Sequence, residues 1–408
     1  MKPLGPIPAG FDTLNGELAI GGQAVSALVE QADETPLFVY SRGLITQRIG
    51  DLRRAMPERI KINYAIKANS FRPVLEHLST LVDGLDIASG GELEMVEAIG
   101  FDLSKVSFAG PGKRDSELET AIAAGVTLNL ESANEARRAL AIGERLGTTP
   151  RLAIRVNPDF DLKGSGMKMG GGPKPFGIDA SQVPALAREI VEAGCDWRGL
   201  HIFTGSQALS AEAVIDMQAK VLELAARITD DAGIGLPKLN MGGGFGIPYF
   251  AGDEPLDVAA VGAALDKRFS ALPASLQDTE FFLELGRYLV GEAGVYLTRI
   301  VDRKESYGET YLITDGGLHH QLAASGNFGT VVRRNYPVAI ATRFDAEPQE
   351  EVNVVGCLCT PLDRLADKAH LPRAEVGDIV AVFCAGAYGA SASPSAFLGQ
   401  GPASEILV

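Results

Sequence analysis

The run Ile60-Lys61-Ile62-Asn63-Tyr64-Ala65-Ile66-Lys67-Ala68-Asn69 begins as an apolar, β-rich stretch and ends on a lysine. After it, Pro73 to Leu81 has the spacing of an amphipathic helix and Gly84 to Ser89 again reads as a strand. That is one β-α-β unit of a parallel sheet. The alternation continues from about Leu37 to Gly286. Strands are expected at Ile60 to Ala68, Gly84 to Ser89, Lys105 to Pro111, Val126 to Ser132, Arg151 to Pro158, Trp197 to Ser206, Lys238 to Gly244 and Phe281 to Gly286. Helix-length segments such as Glu92 to Ile99, Glu117 to Ala124, Ala133 to Leu146 and Ala211 to Thr229 separate them. So many strand-helix units in one run predict a (β/α)8 TIM barrel over residues 37–288, in preference to an open doubly wound sheet.

Beyond Arg287 the texture changes to strands joined by turns, at Val295 to Asp302, Glu309 to Thr314, Val352 to Val355 and Asp378 to Cys384, which suggests a mainly antiparallel β domain. Gly16 to Gly22 also reads as a strand ahead of the barrel. Residues 1–36 and 289–408 are therefore expected to form one discontinuous β domain, with the early strand pairing into it. The loop Lys163 to Pro175, rich in glycine and lysine, reads either as a mobile loop over the barrel mouth or as a surface linker.

The 408 residues carry a formal charge of −15, which argues against nucleic acid or an anionic membrane as partner. Residues 379–404 are uncharged but filled with Gly, Ser and Pro in their second half, a composition of buried strand and loop, not of a membrane span. Four cysteines without a CxxC pair suggest a reducing compartment, and the first ten residues show no secretory pattern, so a cytoplasmic protein is expected.

Chemistry in such barrels collects at the C-terminal strand ends, with phosphate commonly held after strands seven and eight. Lys67 lies at the first of these ends. Read alone, it is either a solvated strand end or a lysine that can lose its proton and attack a carbonyl. Strand seven ends in Gly242-Gly243-Gly244-Phe245-Gly246, strand eight in Glu284-Leu285-Gly286-Arg287, and strand six in Gly205-Ser206-Gln207. Bare backbone amides, a guanidinium and a hydroxyl at adjacent ends suit a phosphate. The glycine run lacks G-x-G-x-x-G spacing, and Ala109-Gly110-Pro111-Gly112-Lys113-Arg114 matches a P-loop only superficially. A Schiff-base lysine, a phosphate cup and a carboxylate together describe bound pyridoxal 5′-phosphate.

With Cys359, Asp363 and Ala387-Tyr388-Gly389, these runs resemble the fold-type III pyridoxal-phosphate decarboxylases across nearly the whole chain. These are the alanine-racemase-like barrel enzymes that include ornithine, arginine and diaminopimelate decarboxylases. The resemblance implies that Lys67 holds the cofactor and that Glu284 faces its pyridine nitrogen, where racemases of this class place an arginine. It gives Gly242, Gly243, Gly244, Gly286, Arg287, Ser206 and Tyr388 to the phosphate end, and makes Asp86 and Arg155 a buried charged pair near the ring. It implies that Cys359 is a proton donor acting across a homodimer interface, and that Asp315, Thr360 and Asp363 lie at the substrate. Cys357 is expected to be structural, on the opposite face from Cys359.

The chain departs from the family pattern at Phe203, Thr360 and Ala323. Phe203 occupies the position of the ring-stacking histidine, and His201, on the same strand face, either shares that role or is a core histidine. Thr360 replaces the acid that binds a distal ammonium, and Ala323 stands where diaminopimelate enzymes carry an arginine. The run from Asp315 to Asn327-Phe328-Gly329 is similar to the exosortase-associated branch, and Arg333 and Arg334 read as a solvated pair or as partners of an anionic substrate. The expected activity is decarboxylation of an amino acid or of a carrier-protein-linked conjugate. A racemase, or a pyridoxal-phosphate-carrying regulatory protein without turnover, are the alternatives.

Overall fold

The computed structural model describes residues 1–160, 167–168, 170–326 and 333–408, with Met167 and Lys168 described by backbone alone. The chain divides into two compact units. A barrel unit comprises Ile49–Gly246 and Pro255–Gly286, and a β unit comprises Met1–Arg48, Ile247–Glu254 and Arg287–Val408.

In the barrel unit, strands β1 (Ile60–Ala65), β2 (Gly84–Ile87), β3 (Val106–Phe108), β4 (Thr127–Leu130), β5 (Arg151–Asn157), β6 (Asp196–His201), β7 (Lys238–Gly243) and β8 (Glu280–Leu285) pair in parallel in that order. The β8–β1 and β4–β5 pairings complete the ring, so the barrel is closed. A short strand, Ile178–Asp179, adds to β5. Period-two alternation explains the closure: Ile60, Ile62 and Tyr64 of β1 and Phe281, Leu283 and Leu285 of β8 are buried apolar residues. The alternate face carries Lys61, Asn63, Glu280, Phe282 and Glu284, so polar groups occupy the barrel's own axis side.

Local signals set the helix ends. Ser132 caps Ala133–Leu146 by accepting from the Glu135 amide, and Gly147 closes it in the left-handed region at φ 63°. Ser210 caps Ala211–Ala232, which runs past the expected Thr229 because its stop is Gly233 at φ 65°. Strands end earlier than expected for a related reason. The chain leaves the sheet at Ala65, and Lys67 lies in the single 3-10 turn Ile66–Ala68.

The β unit is built on an eight-stranded sheet, mainly antiparallel with two parallel pairings. Leu37–Tyr40, expected to open the barrel, belongs here, paired antiparallel with Gly294–Ser306 and parallel with Ser404–Leu407. Its unbroken apolar run suits either sheet, and only the long-range partners decide. Glu17–Ile20 does not pair into this sheet as expected. It forms a small sheet with Asp12–Leu14 and Gln23–Ala24, and joins the unit by packing Leu18 and Ile20 against Val295, Leu297 and Phe383. Among the described residues, no helix is long and apolar enough to cross a membrane.

The segment that mimics a P-loop has a structural explanation. Lys113 is fully buried, with Nζ 2.6 Å from Glu135 Oε1, 2.9 Å from the Gly110 carbonyl and 3.0 Å from the Asn129 carbonyl. This lysine locks the β3 exit to the helix after β4. Removing one member of a buried pair leaves the other charge uncompensated, at a cost of about 3–5 kcal/mol. Lys113→Ala should therefore lower the urea midpoint sharply, whereas the paired change Lys113→Met with Glu135→Leu should recover most of the loss.

Candidate active site

Four charged groups converge at the C-terminal end of the barrel unit. Lys67 is about half exposed, with Nζ 3.9 Å from Glu284 Oε1 and 6.0 Å from the centre of the Phe203 ring. Glu284 is buried, and its Oε2 lies 2.8 Å from His201 Nε2. Burial alone would raise the Glu284 pKa. The His201 hydrogen bond and charge, with Lys67 and Arg155 beyond, outweigh that and bring it to about 2. Asp86 goes the other way: burial and the charge of Glu284 push its carboxyl well above the ordinary range, against hydrogen bonds from Ser107 and Asn63. One carboxylate is thus held charged and its neighbour is driven toward the neutral acid.

His201 therefore serves as the buried partner of Glu284 in this structure, and Phe203 is the aromatic group on the lysine side. The expected pairing of Asp86 with Arg155 is not found. Arg155 Nη1 is 2.8 Å from Glu131 Oε1, while Asp86 accepts from Ser107. Glu131 also accepts from the Gly110 and Gly177 amides, both at 2.7 Å, so it ties three loops together. Sequence reasoning passed over Glu131, although it follows β4 in the same way that Lys67 follows β1.

The glycines have steric reasons. Gly242 and Gly244 have φ of 66° and 74°, and a Cβ on Gly244 would lie 2.3 Å from the Gly205 carbonyl oxygen. A Cβ on Gly243 would lie 2.1 Å from the Glu284 carbonyl oxygen, and one on Gly286 2.9 Å from the Ala68 Cβ. The loops after β6 and β7 are joined by a 2.9 Å bond from the Ala208 amide to the Gly244 carbonyl. Ser206 Oγ is buried in this cradle without a hydrogen-bond partner. Met167 and Lys168 pair with Ser206 and Gly205, and Gly170 bonds to the Thr204 carbonyl. Residues 163–166 and 169 of the expected mouth loop lie outside the described residues.

In the β unit, Arg287 Nη1 is 2.6 Å from the Tyr249 hydroxyl, and its guanidinium lies 4.7 Å from the Tyr388 ring centre. Its Nε is buried without a partner, and Tyr388 is held at φ 57°. Tyr249, missed from the sequence, stacks on Tyr336 and is raised to about 12 by burial, against the opposing charge of Arg287.

The remaining expected residues divide clearly. Cys359 is exposed, and so is Cys357, with Leu358 buried between them. The expected opposition is corrected: residues two apart on a strand share a face, and here both cysteines lie in a run of bends beyond the strand end at Val355, each exposed. Asp363 is buried, its oxygens accepting from the Leu318 and Leu358 amides at 2.7 and 2.8 Å. Asp315 accepts from Thr298, the Arg299 amide and Thr35. Both acids are thus committed within the β unit, and the Thr360 hydroxyl accepts only a long 3.4 Å bond from the Leu362 amide, which leaves its proton free to donate. Arg333 donates to the Ser325, Leu362 and Arg364 carbonyls, and Arg334 lies over the Phe250 ring, so they do not form a solvated pair. Asn327, Phe328 and Gly329 lie outside the described residues.

A lysine beside a buried ionised carboxylate, above glycine loops with an unpartnered hydroxyl, defines a barrel enzyme of the pyridoxal-phosphate class, and these residues fit that cofactor. The chain belongs to the pyridoxal-dependent decarboxylases, whose pyridoxal binding domain matches residues 42–291. It is 36% identical to the L-glutamyl-[BtrI acyl-carrier protein] decarboxylase of Niallia circulans, over 94% of this chain and 91% of that one. It is 33% identical to the diaminopimelate decarboxylase of Archaeoglobus fulgidus, over 98% and 93%. The crystal structure of Helicobacter pylori diaminopimelate decarboxylase complexed with L-lysine superposes with a TM-score of 0.82 at 27% identity, covering 94% of each chain.

The two acids predict opposite pH behaviour. An acid raised in the folded state, as Asp86 is, costs stability as pH climbs above the ordinary carboxylate range of the unfolded chain. The cofactor-free Asp86→Asn variant should therefore melt higher than the parent at pH 8, with the difference vanishing near pH 4. Thermal unfolding at the two pH values checks this.

Proposed function

We propose that this decarboxylase acts as a homodimer on an amino acid presented as a carrier-protein-linked conjugate, in the cytoplasm. The observation that carries the substrate class is the Cys359–Asp363 loop. Position 360 offers a hydroxyl where a distal ammonium would need an acid, and the carboxylate of Asp363 is consumed by backbone amides. Ala323 supplies no arginine for a distal carboxylate. A substrate whose far end is an amide or thioester linkage to a carrier needs neither. The relative from Niallia circulans, which by its name acts on a carrier-linked glutamyl group, supports the same reading.

Within the barrel, Lys67 is the amine that holds pyridoxal 5′-phosphate and yields to the substrate amine. Once bound, the cofactor supplies an electron sink for the pair left when carbon dioxide departs. Glu284, beside His201, would hold a negative charge toward the pyridine nitrogen and so favour its protonated form. Asp86 adds a second carboxyl, driven by burial toward the neutral acid. The Phe203 face covers the ring in place of an imidazole and brings no titratable proton to it. Ser206 and the Gly243 and Gly244 amides would hold the phosphate, the Gly242 amide being donated to Asn240 Oδ1 at 2.9 Å, and resemblance extends the role to Arg287 and Tyr388. Cys359, exposed within one chain, supplies the proton to the substrate carbon from the partner subunit.

Holoenzyme supplied with a panel of free amino acids and their carrier-linked forms should release carbon dioxide faster from a carrier-linked substrate. Equal or faster release from free diaminopimelate or ornithine would overturn the substrate class. Lys67→Ala should lose the visible cofactor absorbance. Cys359→Ala should keep that absorbance and slow product formation by roughly 10²–10⁴-fold, the range of general acid catalysis.

A further inference from the structure

The barrel unit contains a second cavity, of about 440 Å³, at the N-terminal ends of its strands. It is the end opposite the chemistry, where a barrel ordinarily carries only stabilising residues. Lys61, Lys105, Arg151, Arg198 and Lys238 line it, against the carboxylates of Asp83 and Glu280. In a chain of net charge −15, this local excess of cations runs against the overall balance.

The carboxylates near these cations are shared. Lys61 and Lys238 both address Glu280, at 2.6 and 3.5 Å, and Arg151 and Arg198 both address Asp196, each at 3.4 Å. Lys105 reaches Asp102 only at 4.0 Å, and Asp83 is engaged by Arg53 and the Ile62 amide. Arg151 has a further acceptor in the Gly125 carbonyl, whereas Arg198 Nε is buried with no hydrogen-bond partner. Burial and then the Arg198 charge lower the Lys238 pKa. Glu280 and Asp196, each shared by two cations, and an orphaned guanidinium nitrogen make a cavity that is electrostatically incomplete.

We propose that this cavity is a binding site for a compact polyanion, a phosphate ester or polycarboxylate metabolite, held by the Arg151–Arg198 and Lys61–Lys238 pairs. Guanidinium forks match the oxygen spacing of both groups. The floor of the cavity gives the site a route to the chemistry. Asn63, Ser107, Asn129 and Asn240 line it. Ser107 donates to Asp86, Asn129 donates to Ser107 at 3.3 Å, and Asn240 Nδ2 lies 3.5 Å from Glu284 Oε2. An anion in the cavity is thus one polar layer beneath the two carboxyls of the active site. The proposal rests on this cavity alone and stands whether or not the substrate is carrier-linked.

Isothermal titration of holoenzyme tests it, because the cofactor then occupies the only other phosphate cradle described above. Pyrophosphate and citrate serve as probes, with potassium chloride matching the ionic strength. One saturable site per chain is expected for at least one probe, and preference between them identifies the phosphate or the carboxylate class. Arg198→Gln should weaken binding at least tenfold, and Lys105→Gln, an exposed rim residue, severalfold. The melting temperature of each variant without probe reports whether it is folded. Absence of saturable binding, or unchanged affinity in folded Arg198→Gln and Lys105→Gln, would overturn the proposal.

Discussion

The 2.8 Å contact between His201 Nε2 and Glu284 Oε2 is the interaction on which the site depends. A carboxylate buried in the wall of a barrel ordinarily takes up a proton, since desolvation penalises its charge. Glu284 escapes that outcome because an imidazole from β6 lies against it and Lys67 and Arg155 add their fields. Burial, and then the Glu284 charge, raise the pKa of Asp86, its neighbour. The site is thus asymmetric, one acid held ionised and the other driven toward its neutral form within the same ring of strands.

The glycine loops make the asymmetry usable. They bring the ends of β6, β7 and β8 closer than any side chain would allow, and the buried Ser206 hydroxyl is left without a partner among them. The barrel has a polar interior as well. Asn63, Ser107, Asn129 and Asn240 fill the layer beneath the acids where an ordinary barrel would place branched apolar residues. That layer is tied by hydrogen bonds to the acids at the C-terminal end.

Much of this was legible in the sequence because it is local. The alternation of strand and helix, the glycine run at the end of β7 and the Gly286-Arg287 pair after β8 all report on their immediate neighbours. What the sequence concealed is pairing at a distance. Arg155 finds Glu131, not Asp86, because barrel register decides which strand-end side chains meet. Asp363 looked like a substrate acid, but its oxygens are claimed by the Leu318 amide, 45 residues away, and by Leu358. Leu37–Tyr40 carries no mark of which sheet it joins, and only its partners Gly294–Ser306 and Ser404–Leu407 assign it.

The central claim is that the ionised Glu284 carboxylate directs this active site toward loss of carbon dioxide. The most direct measurement is the rate of carbon dioxide release by Glu284→Gln holoenzyme in deuterium oxide, followed together with deuterium exchange at the substrate α-carbon. Decarboxylation should fall roughly hundredfold or more, as when a preorganised charge is removed from a buried site, while cofactor absorbance is retained and α-exchange declines less. Decarboxylation at the parental rate by that variant would contradict the account.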